Sequence, residues 1–193
     1  MAAARAVMML VPAVAFAATA TACEGEAAEQ AERRPAQPAA PMAFDGTGLG
    51  CLRIGAPLAA LPGECRILGD RMIPGPEGTP ERRVDILVAG DSVGATVVRD
   101  SVWRVEITTP RFVTRDALGV GTAAARLLER PGSRVIGGEG RLFITLDDRC
   151  GMSFEVGGLP PHVRALPAAA ARARISAAGR VSRILLFGCQ DPA

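Results

Sequence analysis

The chain has 193 residues, of which 49% are hydrophobic, 22% charged and 4% aromatic, and its formal net charge is +2. This composition fits a folded domain and excludes collagen-like and acidic disordered classes. All 22 basic residues are Arg and they are interleaved with acids, so there is no positive stripe to release counterions from phosphate, and nucleic acid is not expected as a partner.

Residues 1–22 carry one positive charge at Arg5, an apolar run over 6–18 and small residues ending in Ala20-Thr21-Ala22, the layout of a secretory signal peptide. Pro12 interrupts the run, which falls well short of the roughly 20 residues needed to span a bilayer. Cys23 follows directly, and Ala20-Thr21-Ala22-Cys23 resembles the bacterial lipobox, with Ala where that motif usually has Leu. The resemblance implies cleavage before a diacylated Cys23. Plain secretion with cleavage after Ala20 or Ala22 is the alternative, and it leaves Cys23 as a thiol. Residues 24–41 read EGEAAEQAERRPAQPAAP, with no large apolar side chain to bury, and are expected to be a tether. The expected layout is signal peptide 1–22, lipid-bearing Cys and tether 23–43, and globular domain 44–193.

Five cysteines are present, and an odd number in an exported chain leaves one to explain. Lipidation of Cys23 explains it, and Cys51, Cys65, Cys150 and Cys189 then form two disulfides in an oxidising compartment. Of the three possible pairings, Cys51 with Cys65 and Cys150 with Cys189 is favoured, because each bridge stays within one half of the domain. No C-x-x-C spacing occurs, so neither redox catalysis nor a zinc ribbon has support.

Leu52-x-Ile54-Gly55 followed by Leu61 matches Leu118-x-Val120-Gly121 followed by Leu127 at one constant offset, the pattern of an internal duplication. Half-repeats are expected at about 47–116 and 117–190. In the first half a weak helix is expected over 56–61, then strands over 64–67, 83–88, 95–99 and 102–108, with 72–80 as a Pro/Gly loop. In the second half a helix over 122–130 ends at Pro131-Gly132, and strands follow over 134–136, 141–146, 152–156 and 181–187. Residues 157–179 read as a long loop or a short surface helix. Pairing of 152–156 against 181–187 would bring Cys150 to Cys189. The expected fold is α+β: antiparallel sheet with one short helix per half, two similar halves in tandem.

The Leu-x-[Ile/Val]-Gly element opening a short helix and a meander is similar to the repeats of outer-membrane assembly lipoproteins and of the β-lactamase-inhibitor-protein-like fold. Ile107-x-x-Pro110-x-Phe112-x-Thr114 with Leu118-Gly119-Val120-Gly121-Thr122 resembles a stretch of uncharacterised bacterial envelope lipoproteins. The resemblance implies architecture and no catalytic residues. Functionally it implies a non-enzymatic protein-binding or structural module, anchored by lipid to the cell envelope, more readily the outer membrane, with its domain in the periplasm or at the surface. Its partner would be another envelope protein or component.

One enzymatic signal stands against this. Gly90-Asp91-Ser92-Val93-Gly94 matches the G-x-S-x-G of a serine hydrolase nucleophile elbow, with Asp147 or Asp148 and then His162 following in a permissible order. An elbow must run into a helix, whereas residues 95–99 are β-branched and read as a strand, and no oxyanion loop of the HGGG type is present. The pentapeptide is therefore expected to be a hairpin turn, with a small esterase using Ser92 and His162 as the alternative function. A single His gives no transition-metal ligand set, the Gly clusters at 46–50 and 137–140 lack the Lys-Ser/Thr of a phosphate loop, and Trp103 is expected in the core. No cofactor or metal is expected.

Overall fold

The computed structural model describes residues 40–75, 78–138, 140–175 and 178–189. Among these residues twelve strands form two sheets. The larger has eight strands, all antiparallel: β4 (Arg66–Pro74), β5 (Pro80–Val88), β6 (Asp91–Val98) and β7 (Ser101–Ile107) form one meander, and β9 (Ser133–Gly138), β10 (Arg141–Leu146), β11 (Met152–Gly157) and β12 (Arg180–Leu186) another. The last strands of the two meanders pair with each other, Val105 opposite Leu186, Glu106 opposite Leu185 and Ile107 opposite Ile184. The order is β4-β5-β6-β7-β12-β11-β10-β9.

The period-2 alternation of these strands sends one set of side chains to a continuous core. Val84, Ile86 and Val88 on β5, Val93, Ala95 and Val97 on β6, and Leu142, Ile144 and Leu146 on β10 are all buried. The core is closed by a small sheet of β1 (Met42–Asp45), β2 (Gly48–Leu49), β3 (Leu52–Arg53) and β8 (Phe112–Val113), whose Phe44, Leu49, Leu52 and Phe112 are buried. Three short helices among the described residues complete it. α1 (Ala124–Leu128) buries Ala124 and Leu127, α2 (Pro161–Arg164) buries Val163, and α3 (Ala168–Ile175) buries Ala171 and Ile175, one turn apart.

The antiparallel sheet and the short helix at 124–128 are as expected, but the helical share is small and the domain is mainly β. A 3-10 turn over Leu58–Ala60 stands where the weaker helix was expected. The expected Pro/Gly loop over 72–80 is shorter: β4 continues to Pro74 and β5 opens at Pro80. Position at the strand ends explains this, because Pro74 closes the edge strand β4 and Pro80 opens β5 before its pairing with β6 begins at Arg82, where a missing N–H costs no interior ladder bond. The sequence reading lacks β1, β2, β3 and β8, since strands this short carry no readable period.

Both disulfides form in the favoured pairing. Cys51–Cys65, with Cα atoms 5.9 Å apart, ties the turn after β2 to the start of β4, and Cys150–Cys189, at 5.1 Å, ties the β10–β11 turn to the segment after β12. β11 and β12 pair antiparallel, with Met152 opposite Leu186, and this register brings the second pair together. At Gly46 a Cβ would lie 2.0 Å from the Cys150 carbonyl oxygen, so only glycine lets the β1–β2 turn close on this bridge.

Candidate functional site

All three helices contribute buried residues to the core side of the large sheet, and among the described residues no element covers its opposite face. The outward side chains of that face form a lattice of ion pairs. Asp85 on β5 accepts from Arg71 on β4, and Arg83 on β5 reaches Glu106 on β7 at 2.9 Å. Arg183 on β12 bridges Glu106 at 3.0 Å and Glu155 on β11 at 2.8 Å, and Arg104 on β7 bonds Glu81 at 3.0 Å and the Thr96 hydroxyl at 3.2 Å.

Glu106 is the centre of this lattice, its side chain only 7% exposed. Burial alone would raise its pKa, but the Arg83 and Arg183 guanidiniums outweigh burial and hold the carboxyl below the usual range. Arg83 can reach Glu106 only by crossing β6, because β6 lies between β5 and β7, with Gly94 opposite both Asp85 and Glu106. A Cβ at Gly94 would lie 2.1 Å from Nη2 of Arg83 and 2.7 Å from its Cζ. Gly94 is thus the gap in the strand through which the guanidinium passes.

The other glycine of the G-x-S-x-G motif is equally structural. Ala89 and Gly90, at φ 51° and 92°, make the two-residue β5–β6 turn, the left-handed pair that a type I′ hairpin requires. Ser92 is therefore inside β6, opposite Leu87 and exposed, and the chain runs on as strand past Gly94. The strand–turn–helix of a nucleophile elbow is absent here. The expected turn is confined to Ala89-Gly90, while Asp91 opens the strand and bonds Arg111 at 2.7 Å. His162 is an exposed residue of α2, Asp147 pairs with Arg134, and Asp148 pairs with Arg130 at 2.7 Å, so the candidate acid and base are not assembled around Ser92. Cys23 lies outside the described residues.

A second polar cluster holds the 114–118 turn. Asp116 accepts from the Thr114 hydroxyl at 2.7 Å and pairs with Arg130 and with Arg149, the latter at 3.1 Å. Burial opposes its ionisation, but Thr114, a backbone N–H and Arg149 bring its pKa down to about 2. Arg149 also lines a cleft of about 630 Å³ beside the Cys150–Cys189 bridge, with Arg53 and Arg115. The Asp45 carboxylate in that cleft is occupied by Thr47 and the Gly48 N–H, which lower its pKa. Among the described residues no group of three His, Cys, Asp or Glu side chains is placed to hold a metal, and no helix is long and apolar enough to cross a membrane.

Trp103 corrects the sequence expectation. It is 48% exposed, not in the core, because a register shift between Thr96 and Val97 in the β6–β7 pairing makes room for an extra residue on β7. The Arg104 guanidinium carbon lies 5.2 Å from the centre of its ring.

The class defined by these features is a mainly β domain: one eight-stranded antiparallel sheet, helices on one face, the other face open. No protein-family model matches the chain, and no curated protein sequence matches it. Among solved structures it is similar in fold to YfeY, an uncharacterised protein of Escherichia coli, with a TM-score of 0.54 and 13% identity over 75% of this chain and 99% of that one.

Proposed function

We propose that this chain is an exported, lipid-anchored, non-enzymatic protein-binding module of the bacterial envelope, built from two similar halves. The observation that carries the binding role is the open sheet face. A face whose charges are already paired to one another offers a partner a surface at little cost in ordering side chains.

The doubling is supported by hydrogen bonds that recur in the two halves, from the Gly55 segment to the start of β7 and from the Gly121 segment to the start of β12, although the two strands are further apart in the chain than the two glycines. Gly55 N–H donates to the Val102 carbonyl at 2.7 Å and Val102 N–H to Ala56 at 2.9 Å; Gly121 N–H donates to Val181 at 2.8 Å and Val181 N–H to Thr122 at 2.8 Å. Leu58 N–H to Asp100 and Ala124 N–H to Gly179 repeat the relation one step on. Gly55 and Gly121 share a left-handed φ, 82° and 90°, that a side chain would resist. Export is supported by the residue pattern of 1–22 and by the two disulfides, and anchoring by Cys23 and the polar spacer behind it. Outer-membrane attachment, with the domain in the periplasm or at the surface, is the localisation this reading favours.

The test has two parts. Intact mass of the native protein should show loss of Met1 through Ala22, an acyl addition at Cys23 and a gain of four hydrogens on reduction; an unlipidated mass removes the anchor. Photo-cross-linkers placed on the open face at Thr145 and Ser92 should trap one discrete envelope protein, while His162, away from that face, should not. Equal yields from all three positions would remove the binding role.

A further inference from the structure

We infer that the end of the open face at the β6–β7 turn is the anchor point for the partner, and that it takes an apolar side chain flanked by a carboxylate on a protein segment. This rests on the binding role proposed above. An open groove of about 670 Å³ lies there, lined by Met72, Val98, Arg99 and Trp103 among others. Met72, Val98 and Trp103 are 60%, 49% and 48% exposed, three large apolar side chains of the described surface gathered in one recess. Trp103 is the chain's sole Trp, and Trp and Arg are the residue types that dominate interface energetics. The Arg104 guanidinium, itself bonded to Glu81 and Thr96, lies over its ring.

The charge of the partner follows from which groups are already satisfied. Arg82 is paired with Asp70 and Asp100, and Glu81 with Arg104. Arg99 makes no ion pair among the described residues, and it stands at the rim beside the apolar floor. The turn that displays it consists of Arg99 and Asp100 at φ 49° and 58°, a left-handed pair in which glycine or asparagine would be less strained.

Because the chain has one Trp and no Tyr, its fluorescence reports on this groove alone. The oxidised mature chain is titrated with a capped hexapeptide carrying Leu-Phe between acidic residues, and with the same peptide carrying Lys in place of each acid. The acidic peptide should shift Trp103 emission to the blue and saturate, the Lys peptide should bind about tenfold more weakly, and Arg99→Glu should invert that preference. Val98→Ser, which leaves the turn unaltered, should weaken both peptides severalfold, and Trp103→Ala should abolish binding of a fluorescein-labelled acidic peptide. Equal shifts with both peptides, no shift with the acidic one, or indifference to Arg99→Glu overturns the inference. So does a shift that grows with protein concentration alone, which would make a second copy the occupant. Cross-links from the open face without any peptide response would reject the groove and leave the module standing; absence of both would reject both.

Discussion

Gly94→Ala should change the sign of its effect on stability according to whether Glu106 is present. In the wild-type chain the new methyl would sit 2.1 Å from Arg83 Nη2, so the guanidinium must leave its 2.9 Å contact with Glu106. Glu106 keeps Arg183 at 3.0 Å, so one of two charge-assisted bonds is lost, about 2 kcal/mol. Alanine in a strand interior recovers roughly 0.5–1 kcal/mol over glycine, giving a net destabilisation of about 1 kcal/mol. Glu106→Ala alone strands Arg83 and Arg183 beside a buried gap and should cost about 3 kcal/mol, the low end for breaking a buried pair, because each Arg retains a second acid, Asp85 or Glu155. In that background Arg83 has no reason to cross β6, and Gly94→Ala should stabilise by roughly 0.5–1 kcal/mol. Urea unfolding of the four proteins, with disulfides intact, gives the cycle. If Gly94→Ala destabilises equally with and without Glu106, the gap at Gly94 does not serve the ion pair and the lattice is wrongly read.

Three further outcomes are expected. Replacing Cys150 and Cys189 by Ser should cost about 4 kcal/mol and replacing Cys51 and Cys65 about 3 kcal/mol, since the bridges span 39 and 14 residues and the entropic term grows with the loop; thermal melts should rank them so. Asp116 has a folded pKa of about 2 against an ordinary 3.8, so its contribution is fully present above about pH 4 and is lost as pH falls toward 2. That contribution is at most about 2 kcal/mol, nearer 1 after solvent screening, and Asp116→Asn should flatten the urea midpoint over that window. Arg172 on α3 donates to the Leu128 and Ser133 carbonyls at 2.8 and 2.9 Å, fastening α3 to the end of α1 and the start of β9. Arg172→Ala should cost about 2 kcal/mol and raise amide exchange in β9 before β11.

How far the fold could be read from the sequence depended on whether a residue's role is local. Arg83-Val84-Asp85-Ile86 and Arg104-Val105-Glu106-Ile107 announce a half-buried strand through their own alternation, and both are strands. The disulfide pairing was favoured because each bridge stays within one half, and for Cys150–Cys189 the expected pairing of 152–156 with 181–187 agreed with it, as the observed register does. By contrast, Trp103 is exposed because of a register shift between two strands, and no local pattern on β7 encodes that shift. The lattice was visible only as alternating charges; that Glu106 is its buried centre depends on β12 pairing with β7, although the small β8 strand, all three helices and the strands β9 to β11 lie between them in the chain.

The pentapeptide Gly90-Asp91-Ser92-Val93-Gly94 shows how a catalytic motif arises from structural demands alone. Its first glycine is required by a two-residue hairpin turn, and its second by the passage of an arginine from one neighbouring strand to a glutamate on the other. Their spacing follows because β6 must run from the turn to the level of Glu106, and Ser92 falls between as an exposed outward position opposite Leu87. Two glycines with independent reasons at that spacing are enough to write G-x-S-x-G. The distinguishing signal lay outside the motif: Ala95, Thr96, Val97 and Val98 continue the strand, and Arg83 and Glu106 stand at nearly equal distances along the chain on either side of Gly94. A glycine in an interior strand, flanked at hairpin distance by opposite charges on its two neighbours, marks a crossing ion pair and can be sought as such in other antiparallel sheets.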